Sequence, residues 1–310
     1  MLHYIEYDSI ASSETLEQLI TRFLAERDVS TSTKDVYYRC LGMFFIWARK
    51  NELKPRSLQI EDAFNFKTYL EEKKRLASAT VSLYLTVARA FFRWLSRKSM
   101  YHNIFMEVPG PKRNKAFKRE PLTVEMVKKV FSIIDTSTVK GARDYAIISL
   151  MARAGLRCCE ISRLEVKDLT EKYNKIGLML LGKWQKEKSF YPIALKAYDD
   201  LEAYLTRIEV NQQAPLFIST INANRGITPS YIGKLVKRYL KIAGISSPSI
   251  TAHSYRHFIG TEAARRNFPI IDIQGFLRHS NTKVSEIYMQ DVIKGKRINN
   301  EILNQIDNII

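Results

Sequence analysis

Apolar residues in the first third of the chain recur three and four positions apart, which is the spacing of one buried helix face. The pattern runs through four segments, residues 15–27, 33–50, 60–72 and 79–97. Its clearest stripe consists of Leu16, Leu19, Ile20, Phe23 and Leu24. Ser78 precedes the fourth segment and is a residue type that commonly caps helices. The pattern predicts a small bundle of four helices with an N-cap at Ser78.

The pattern changes after residue 121, where helical segments alternate with short apolar runs. Two runs, at residues 176–181 and 189–193, flank a polar stretch and predict an antiparallel β-hairpin. Thr123 is expected to cap a helix that reaches Ile134, and Gly155 to end the helix after it. Further helices are predicted over residues 140–153, 194–209, 229–243, 253–267, 269–277 and 281–290. We predict a mostly α-helical (α+β) chain: an N-terminal helical bundle, then a C-terminal mixed α/β domain with a small antiparallel sheet.

Charge is the property of the composition that changes this picture. The chain has 310 residues, 45% of them hydrophobic, and it carries 49 Lys and Arg against 32 Asp and Glu, a formal net charge of +17. So large a basic excess favours a polyanionic partner, most simply nucleic acid. Most of the excess lies after residue 110. On charge alone, a protein that is basic for another reason is the alternative.

A basic segment joins the two patterns. Residues 109–121 contain three prolines, a glycine and five basic residues, which oppose regular structure and suit contact with phosphate. We predict domains at residues 1–110 and 122–310, with residues 111–121 as a basic linker; an ordinary exposed loop is the alternative. The candidate DNA contacts here are Lys112, Arg113, Lys115, Lys118 and Arg119.

The sequence argues against several other classes of protein. Its three cysteines, Cys40, Cys158 and Cys159, form neither a disulfide framework nor a zinc motif. No signal peptide precedes the first helix, and the longest apolar runs are too short to span a bilayer. We therefore expect a cytoplasmic protein with no membrane partner, no metal and no cofactor.

Cationic and imidazole residues then follow one another in a fixed order ahead of one tyrosine. They are Arg157 in AGLRCCEI, Lys183 in LGKWQKEK, His253 and Arg256 in HSYRH, His279 in LRHS and finally Tyr288. Ionising a phenol at pH 7 costs about 4 kcal/mol. A cluster of fixed positive charge offsets that cost and also binds phosphate. The order predicts an enzyme that cuts phosphodiesters with Tyr288 as its nucleophile.

The local settings of the first two cations suggest what each would do. Arg157 follows the break at Gly155, where a guanidinium can face two phosphate oxygens, and Glu160 is spaced to orient it. An ordinary surface Arg–Glu pair is the alternative. Lys183 lies at the predicted hairpin tip and suits protonation of a leaving alkoxide. Lys186 and Lys188 in the same hairpin compete with it for that role, or contact phosphate.

The last motifs place further groups on predicted helices. His253 and Arg256 are three residues apart, so they share a helix face. His257 is expected to point elsewhere and to be structural. Taken singly, each histidine is more often a core or capping residue than a catalyst, and it is the ordered set that favours catalysis.

These motifs resemble those of a known family, the tyrosine recombinases or phage-integrase family, which includes the Xer recombinases. AGLRCCEISRLEVKDL resembles the box with the first catalytic arginine, HSYRHFIGTEAA the box with the histidine and second arginine, and LRHSNTKVSEIY the box that ends in the tyrosine. The resemblance covers nearly all of the chain. It implies a SAM-like core-binding domain over residues 1–110 and a catalytic domain over residues 122–310.

The resemblance also implies a role for each matched residue. Tyr288 would form a 3′-phosphotyrosyl bond to DNA and free a 5′-hydroxyl. Arg157 and Arg256 would hold the non-bridging oxygens of the scissile phosphate. Lys183 would protonate the leaving oxygen. The other implied roles are proton transfer by His253, a hydrogen bond to the phosphate from His279 and support by Glu160.

Three residues depart from the family pattern. Ala154 replaces a Thr, Trp184 replaces a Gly in the hairpin turn, and Arg278 replaces the Gly before His279. We expect Trp184 to pack in the hairpin and Arg278 to reach a backbone phosphate of DNA. None of the three changes removes a catalytic group.

The resemblance implies a site-specific recombinase that acts on double-stranded DNA with a specific recombination site. It also implies a homotetramer on DNA, and accessory DNA-bending proteins are further candidate partners. The terminal stripe of Ile298, Ile302, Ile306 and Ile310 suggests a helix that docks on a neighbouring protomer or packs on its own domain. Two alternatives remain: a DNA strand-passing enzyme similar to type IB topoisomerases, and a non-catalytic architectural DNA-binding protein.

Overall fold

The computed structural model describes residues 14–112, 120–182, 187–209, 211–219, 225–279, 281–282, 285–286, 288 and 292. The chain folds into two compact units, Met1–Ala116 and Phe117–Ile310. The boundary between them falls inside the segment predicted as a linker. The functions assigned to the two domains stay predictions.

Helices make up the first unit. They are α1 (Leu16–Ala25), α2 (Thr31–Lys50), α3 (Ile60–Thr68) and α4 (Ser78–Arg97), with a 3₁₀ turn at Pro55–Ser57 and a π-helical turn at Tyr69–Lys73 that continues α3. The predicted cap at Ser78 is wrong: Ser78 is the first helical residue, and Ala77 precedes it without a side-chain hydrogen bond. Thr15 does cap α1, since its side chain accepts from the backbone N–H of Gln18.

The bundle is held together by aromatic packing. Phe44, which is fully buried, lies at 5.0 Å from Phe66, 5.7 Å from Phe92 and 5.2 Å from Phe105 between ring centroids, in edge-to-face arrangements. Such pairs add roughly 0.5–1.5 kcal/mol each beyond the area that they bury. The five residues of the predicted α1 stripe are all buried.

The second unit surrounds a long buried helix with further helices and one sheet. Its elements are α5 (Val124–Ser132), α6 (Val139–Ala154), α7 (Cys158–Ile161), β1 (Leu169–Lys172), β2 (Lys175–Leu181), β3 (Lys188–Pro192), α8 (Leu195–Leu205), α9 (Pro229–Ile242), α10 (Ala252–Arg265) and α11 (Ile270–Leu277). Tyr288 is also helical, while much of the helix predicted over residues 281–290 lies outside the described residues. Thr123 caps α5 by accepting from the N–H of Met126, as predicted.

The sheet contains the predicted hairpin and one further strand. Its order is β1-β2-β3 and both pairings are antiparallel, with Leu181 opposite Lys188 and Leu169 opposite Leu178. Strand β1 was not predicted, because its sequence LTEK has no apolar alternation. The mostly helical, α+β fold class is confirmed.

The break after α6 positions the site described below. Gly155 ends the helix in the left-handed region, with φ 63° and ψ 26°, a conformation in which a side chain would be strained. A Cβ at this position would also stand 2.8 Å from Cδ2 of Leu277 on α11. Because the chain turns here without a side chain, α11 approaches closely and the carbonyl of Gly155 faces α10.

Candidate active site

Arg157 is held by Glu160 at the start of α7. The backbone N–H of Arg157 donates to Oε2 of Glu160 at 2.8 Å, and Nη1 donates to Oε1 at 2.7 Å. Burial alone would raise the pKa of Glu160, but Arg278 and Arg157 outweigh it and lower that pKa. Glu160 is therefore a buried carboxylate. It holds Arg157, whose side chain stays 28% exposed.

Arg256 is buried on α10 with most of its donors unused. Its residue is 1% exposed, and Nη1 donates to the carbonyl of Gly155 at 2.7 Å. Among the described residues, no group accepts from its Nε or Nη2. Burial and then the like charges of Arg157 and Arg278 lower the pKa of Arg256 to about 9, so it is still charged at pH 7. A buried cation with unpaired donors fits an anion.

Arg278 is placed differently from the expectation. Its side chain is 8% exposed, and Nη2 lies 3.0 Å from Oε2 of Glu160 and 3.3 Å from the carbonyl oxygen of Gly155. The guanidinium also lies over the ring of Tyr191, with Cζ 4.8 Å from the centroid. The predicted reach to a backbone phosphate is thus corrected, because the guanidinium turns inward and pairs within the protein.

His279 is neutral and has a defined hydrogen-bond partner. Burial, followed by the nearby charges of Arg256 and Arg157, lowers the pKa of His279 to about 3. Its Nδ1 lies 2.9 Å from Oγ of Ser285, which is fully buried. A hydroxyl that donates to Nδ1 leaves the proton on Nε2. In that tautomer His279 is a hydrogen-bond donor without carrying charge.

Tyr288 lies between α10 and His279. The residue is 2% exposed, and its ring centroid is 6.0 Å from that of His279 and 5.2 Å from that of His257. A Cβ at Gly260 would stand 2.5 Å from Cε2 of Tyr288, so this tight contact requires glycine. An ionised Tyr288 would raise the pKa of Arg256, so phenolate and guanidinium would stabilise each other.

Sequence reasoning misplaced His257. The residue is expected to point elsewhere, yet its ring packs edge-on against Tyr288 and lies 5.1 Å from the ring of His253. The spacing contained the signal: His253, His257 and Gly260 are four and three residues apart and share a helix face. That face contacts the candidate nucleophile.

Most of the remaining candidate residues fall in parts of the chain that the structure does not describe. Lys183, Lys186 and Trp184 lie outside the described residues, as do the linker residues Arg113, Lys115, Lys118 and Arg119. Lys112 is exposed. Lys188, the other lysine at the hairpin end, forms an ion pair with Asp168, since its Nζ lies 2.7 Å from both carboxylate oxygens.

Two kinds of feature are absent from the described part of the chain. Within the described ranges, no group of three His, Cys, Asp or Glu residues is arranged to hold a metal ion. Among the helices in those same ranges, none is both long and apolar enough to cross a membrane.

Comparison with known families decides the identity of the chain. Residues 120–293 match the phage integrase family, and residues 16–100 match the N-terminal SAM-like domain of phage integrases. The chain belongs to the phage integrase family. It is an Xer-like tyrosine recombinase, a site-specific enzyme that breaks and rejoins DNA, which confirms the fold class and the enzyme class predicted from the sequence.

Relatives of similar length support this assignment. Tyrosine recombinase XerD of Listeria monocytogenes is 27% identical over 284 residues, which cover 89% of this chain and 93% of the relative. Tyrosine recombinase XerC of Staphylococcus carnosus is 26% identical over 275 residues, which cover 88% and 90% of the two chains.

Solved structures show the same fold at lower identity. The XerH site-specific recombinase, in its post-cleavage complex with a palindromic difH substrate, has a TM-score of 0.72 at 19% identity, covering 92% of this chain and 84% of that one. The Tn1549 transposon integrase, in complex with circular intermediate DNA, has a TM-score of 0.65 at 20% identity, covering 87% and 94%.

Proposed function

We propose that this recombinase cleaves one strand of duplex DNA with Tyr288, forming a 3′-phosphotyrosyl intermediate, and that Arg157 and Arg256 bind the scissile phosphate. The observation that carries the proposal is the buried Arg256, whose Nε and Nη2 have no acceptor among the described residues. Tyr288 packs against Gly260, which lies four residues after Arg256 and so on the same face of α10. A phosphate beside these donors would pair with them next to the nucleophile.

The chemistry follows from the charges in the site. Oη of Tyr288 forms a bond to phosphorus while the bond between phosphorus and the 5′-oxygen breaks. The phenol proton passes to a base, for which His253 is the candidate, and the leaving 5′-oxygen takes a proton from an acid, for which Lys183 is the candidate. Rejoining is the reverse attack by a 5′-hydroxyl. The energy of the broken bond is stored in the phosphotyrosyl bond, so no ATP is needed.

Preorganised donors stabilise the extra negative charge of the transition state. Arg157 and Arg256 supply two cationic groups for the non-bridging oxygens. His279 supplies a neutral donor, because its pKa of about 3 keeps the imidazole uncharged at working pH. Glu160 keeps Arg157 in position through the 2.7 Å contact.

The DNA partner and the assembly are further parts of the proposal. A formal net charge of +17 suits a duplex with many phosphate contacts, and such binding weakens steeply with salt. We infer a homotetramer on DNA, with the isoleucine-rich segment at residues 298–310 as the candidate contact between protomers. Lys112 and its basic neighbours in the linker are candidate phosphate contacts.

A covalent capture experiment tests the nucleophile. A binding site would first be selected from a random duplex library with Tyr288→Phe protein, which is expected to bind DNA. A nicked version of that site lets the fragment with the 5′-hydroxyl diffuse away and traps the covalent complex, which denaturing gels resolve. We expect wild-type protein to be trapped and Tyr288→Phe not to be trapped.

Tyr255→Phe is the matched control, because Tyr255 is buried on α10 and its hydroxyl has no acceptor among the described residues. It is expected to be trapped like wild type. Trapping of Tyr288→Phe would refute the assignment. Relaxation of any supercoiled plasmid by a monomer, without dependence on the selected site, would favour the topoisomerase-like alternative.

A further inference from the structure

We propose that Arg278 is a positioning residue that fixes the guanidinium groups of Arg157 and Arg256 relative to each other. The inference rests on the proposed function of Arg157 and Arg256. Arg278 stands where the family pattern that this sequence resembles has a glycine.

The contacts of Arg278 form a bridge. Its Nη2 lies 3.0 Å from Oε2 of Glu160, and the other oxygen of that carboxylate accepts from Arg157 at 2.7 Å. The same Nη2 lies 3.3 Å from the carbonyl oxygen of Gly155, which accepts from Arg256 at 2.7 Å. One guanidinium therefore shares one acceptor with each phosphate-binding arginine.

The backbone at Arg278 is in a conformation that is strained for a residue with a side chain. The residue ends α11 in the left-handed region, with φ 53° and ψ 48°, where a Cβ is unfavourable and glycine is preferred. A side chain persists in such a conformation when its surroundings over-determine it. Here the surroundings are Glu160, Gly155 and the ring of Tyr191, against which the guanidinium packs.

Charge adds a second effect. Arg278 is among the like charges that lower the pKa of Arg256, after burial and Arg157. Arg157 and Arg278 both pair with the carboxylate of Glu160, while Arg256 experiences the like charge of both, so an entering phosphate relieves their mutual repulsion. A planar guanidinium can face two acceptors at once, whereas a lysine ammonium is a compact point charge on a flexible stem. We expect the bridge to require arginine.

Arg278→Gly and Arg278→Lys test the bridge, with Arg75→Gly as the matched control. Arg75 is an exposed arginine of the first unit that also has positive φ, 49°, so its replacement relieves the same kind of strain without changing a residue of the second unit. Three quantities would be measured: the rise of the melting temperature with inorganic phosphate, the affinity for the selected duplex, and the single-turnover rate of cleavage of the nicked substrate.

We expect Arg278→Gly to fold as well as wild type, because glycine suits the backbone conformation. Its cleavage rate is expected to fall about 10- to 100-fold, the scale of a misplacement of about 1 Å, and its phosphate affinity to fall several-fold. Its duplex affinity is expected to stay within about threefold, because a buried side chain adds little to the many phosphate contacts. Arg278→Lys is expected to recover only part of the cleavage rate, and Arg75→Gly to behave as wild type.

Three results would overturn the proposal. They are wild-type cleavage and phosphate binding by Arg278→Gly, full recovery by Arg278→Lys, and a loss of duplex affinity as large as the loss of cleavage, which would mean direct contact with DNA. If wild-type protein forms no covalent complex, the proposed function fails. The phosphate titration then still decides whether Arg278 positions the arginines, since it does not depend on cleavage.

Discussion

Gly260→Ala is expected to separate cleavage from DNA binding, because the glycine of α10 is where Tyr288 packs. A Cβ at this position would stand 2.5 Å from Cε2, 2.6 Å from Cδ2 and 2.7 Å from Cζ of the tyrosine ring. Carbon atoms in contact are ordinarily about 3.5–4.0 Å apart. The ring therefore has to move by about 1 Å, a misplacement that can cost about 100-fold in rate.

The same change has opposing effects on stability. Overpacking costs about 1–3 kcal/mol, while alanine in a helix is favoured over glycine by about 1 kcal/mol. We therefore expect Gly260→Ala to remain folded, with a net loss of at most about 2 kcal/mol. Single-turnover cleavage of the nicked substrate is expected to fall about 100-fold, with duplex affinity unchanged.

Gly233→Ala is the matched control. Gly233 lies in α9, and none of the residues that the structure describes, beyond its own chain neighbours and helix backbone, comes within 4 Å of a Cβ built there. This variant gains the same helix propensity without touching Tyr288, so we expect wild-type cleavage. Cleavage by Gly260→Ala within about threefold of wild type would refute the reasoning, since it would show that α10 does not position the nucleophile.

Two further predictions concern His279. Ser285→Ala removes the hydroxyl that lies 2.9 Å from Nδ1 of His279. We expect the cleavage rate to fall about tenfold, which corresponds to one hydrogen bond of about 1.4 kcal/mol. Ser285→Thr should retain most of the rate, and a loss below about twofold in Ser285→Ala would contradict this prediction. The pKa of His279 is about 3 in the folded protein against an ordinary 6.5, so between these values the unfolded chain binds a proton that the folded one does not. The free energy of unfolding should therefore fall as pH drops from 6.5 towards 3 and be independent of this group above 6.5. Urea unfolding at pH 7 and pH 5 checks this against His279→Gln, and an equal loss in both proteins would count against it.

The periodic parts of the fold could be predicted from the sequence alone. Apolar residues every three or four positions indicated α1 to α4, and Thr123 and Gly155 marked the start of α5 and the end of α6, because capping and left-handed turns depend on local chemistry. Strand β1 was not predicted, because its pairing with β2, and not its own sequence, makes it a strand. The cap at Ser78 was wrong by one residue, since serine suits the first helical position as well.

The candidate site also has features that the sequence predicts and features that depend on packing. The sequence motifs identified Arg157, Arg256, His279 and Tyr288 and their order, because cleavage of a phosphodiester by a tyrosine needs these functional groups. Their family follows from the same residues. Motifs cannot show which groups are buried together, since that depends on how α6, α10 and α11 pack.

Only the tertiary structure decided what surrounds each group. It turned Arg278 inward to Glu160 and Gly155, placed His257 and Gly260 against Tyr288, and paired Ser285 with His279. These contacts join residues that are distant in sequence or separated by a change of backbone direction, as at Gly155 and Arg278. Local sequence determined most of the elements and the functional groups, whereas packing between elements determined strand β1, burial, hydrogen-bond partners and therefore the charge state of each group in the site.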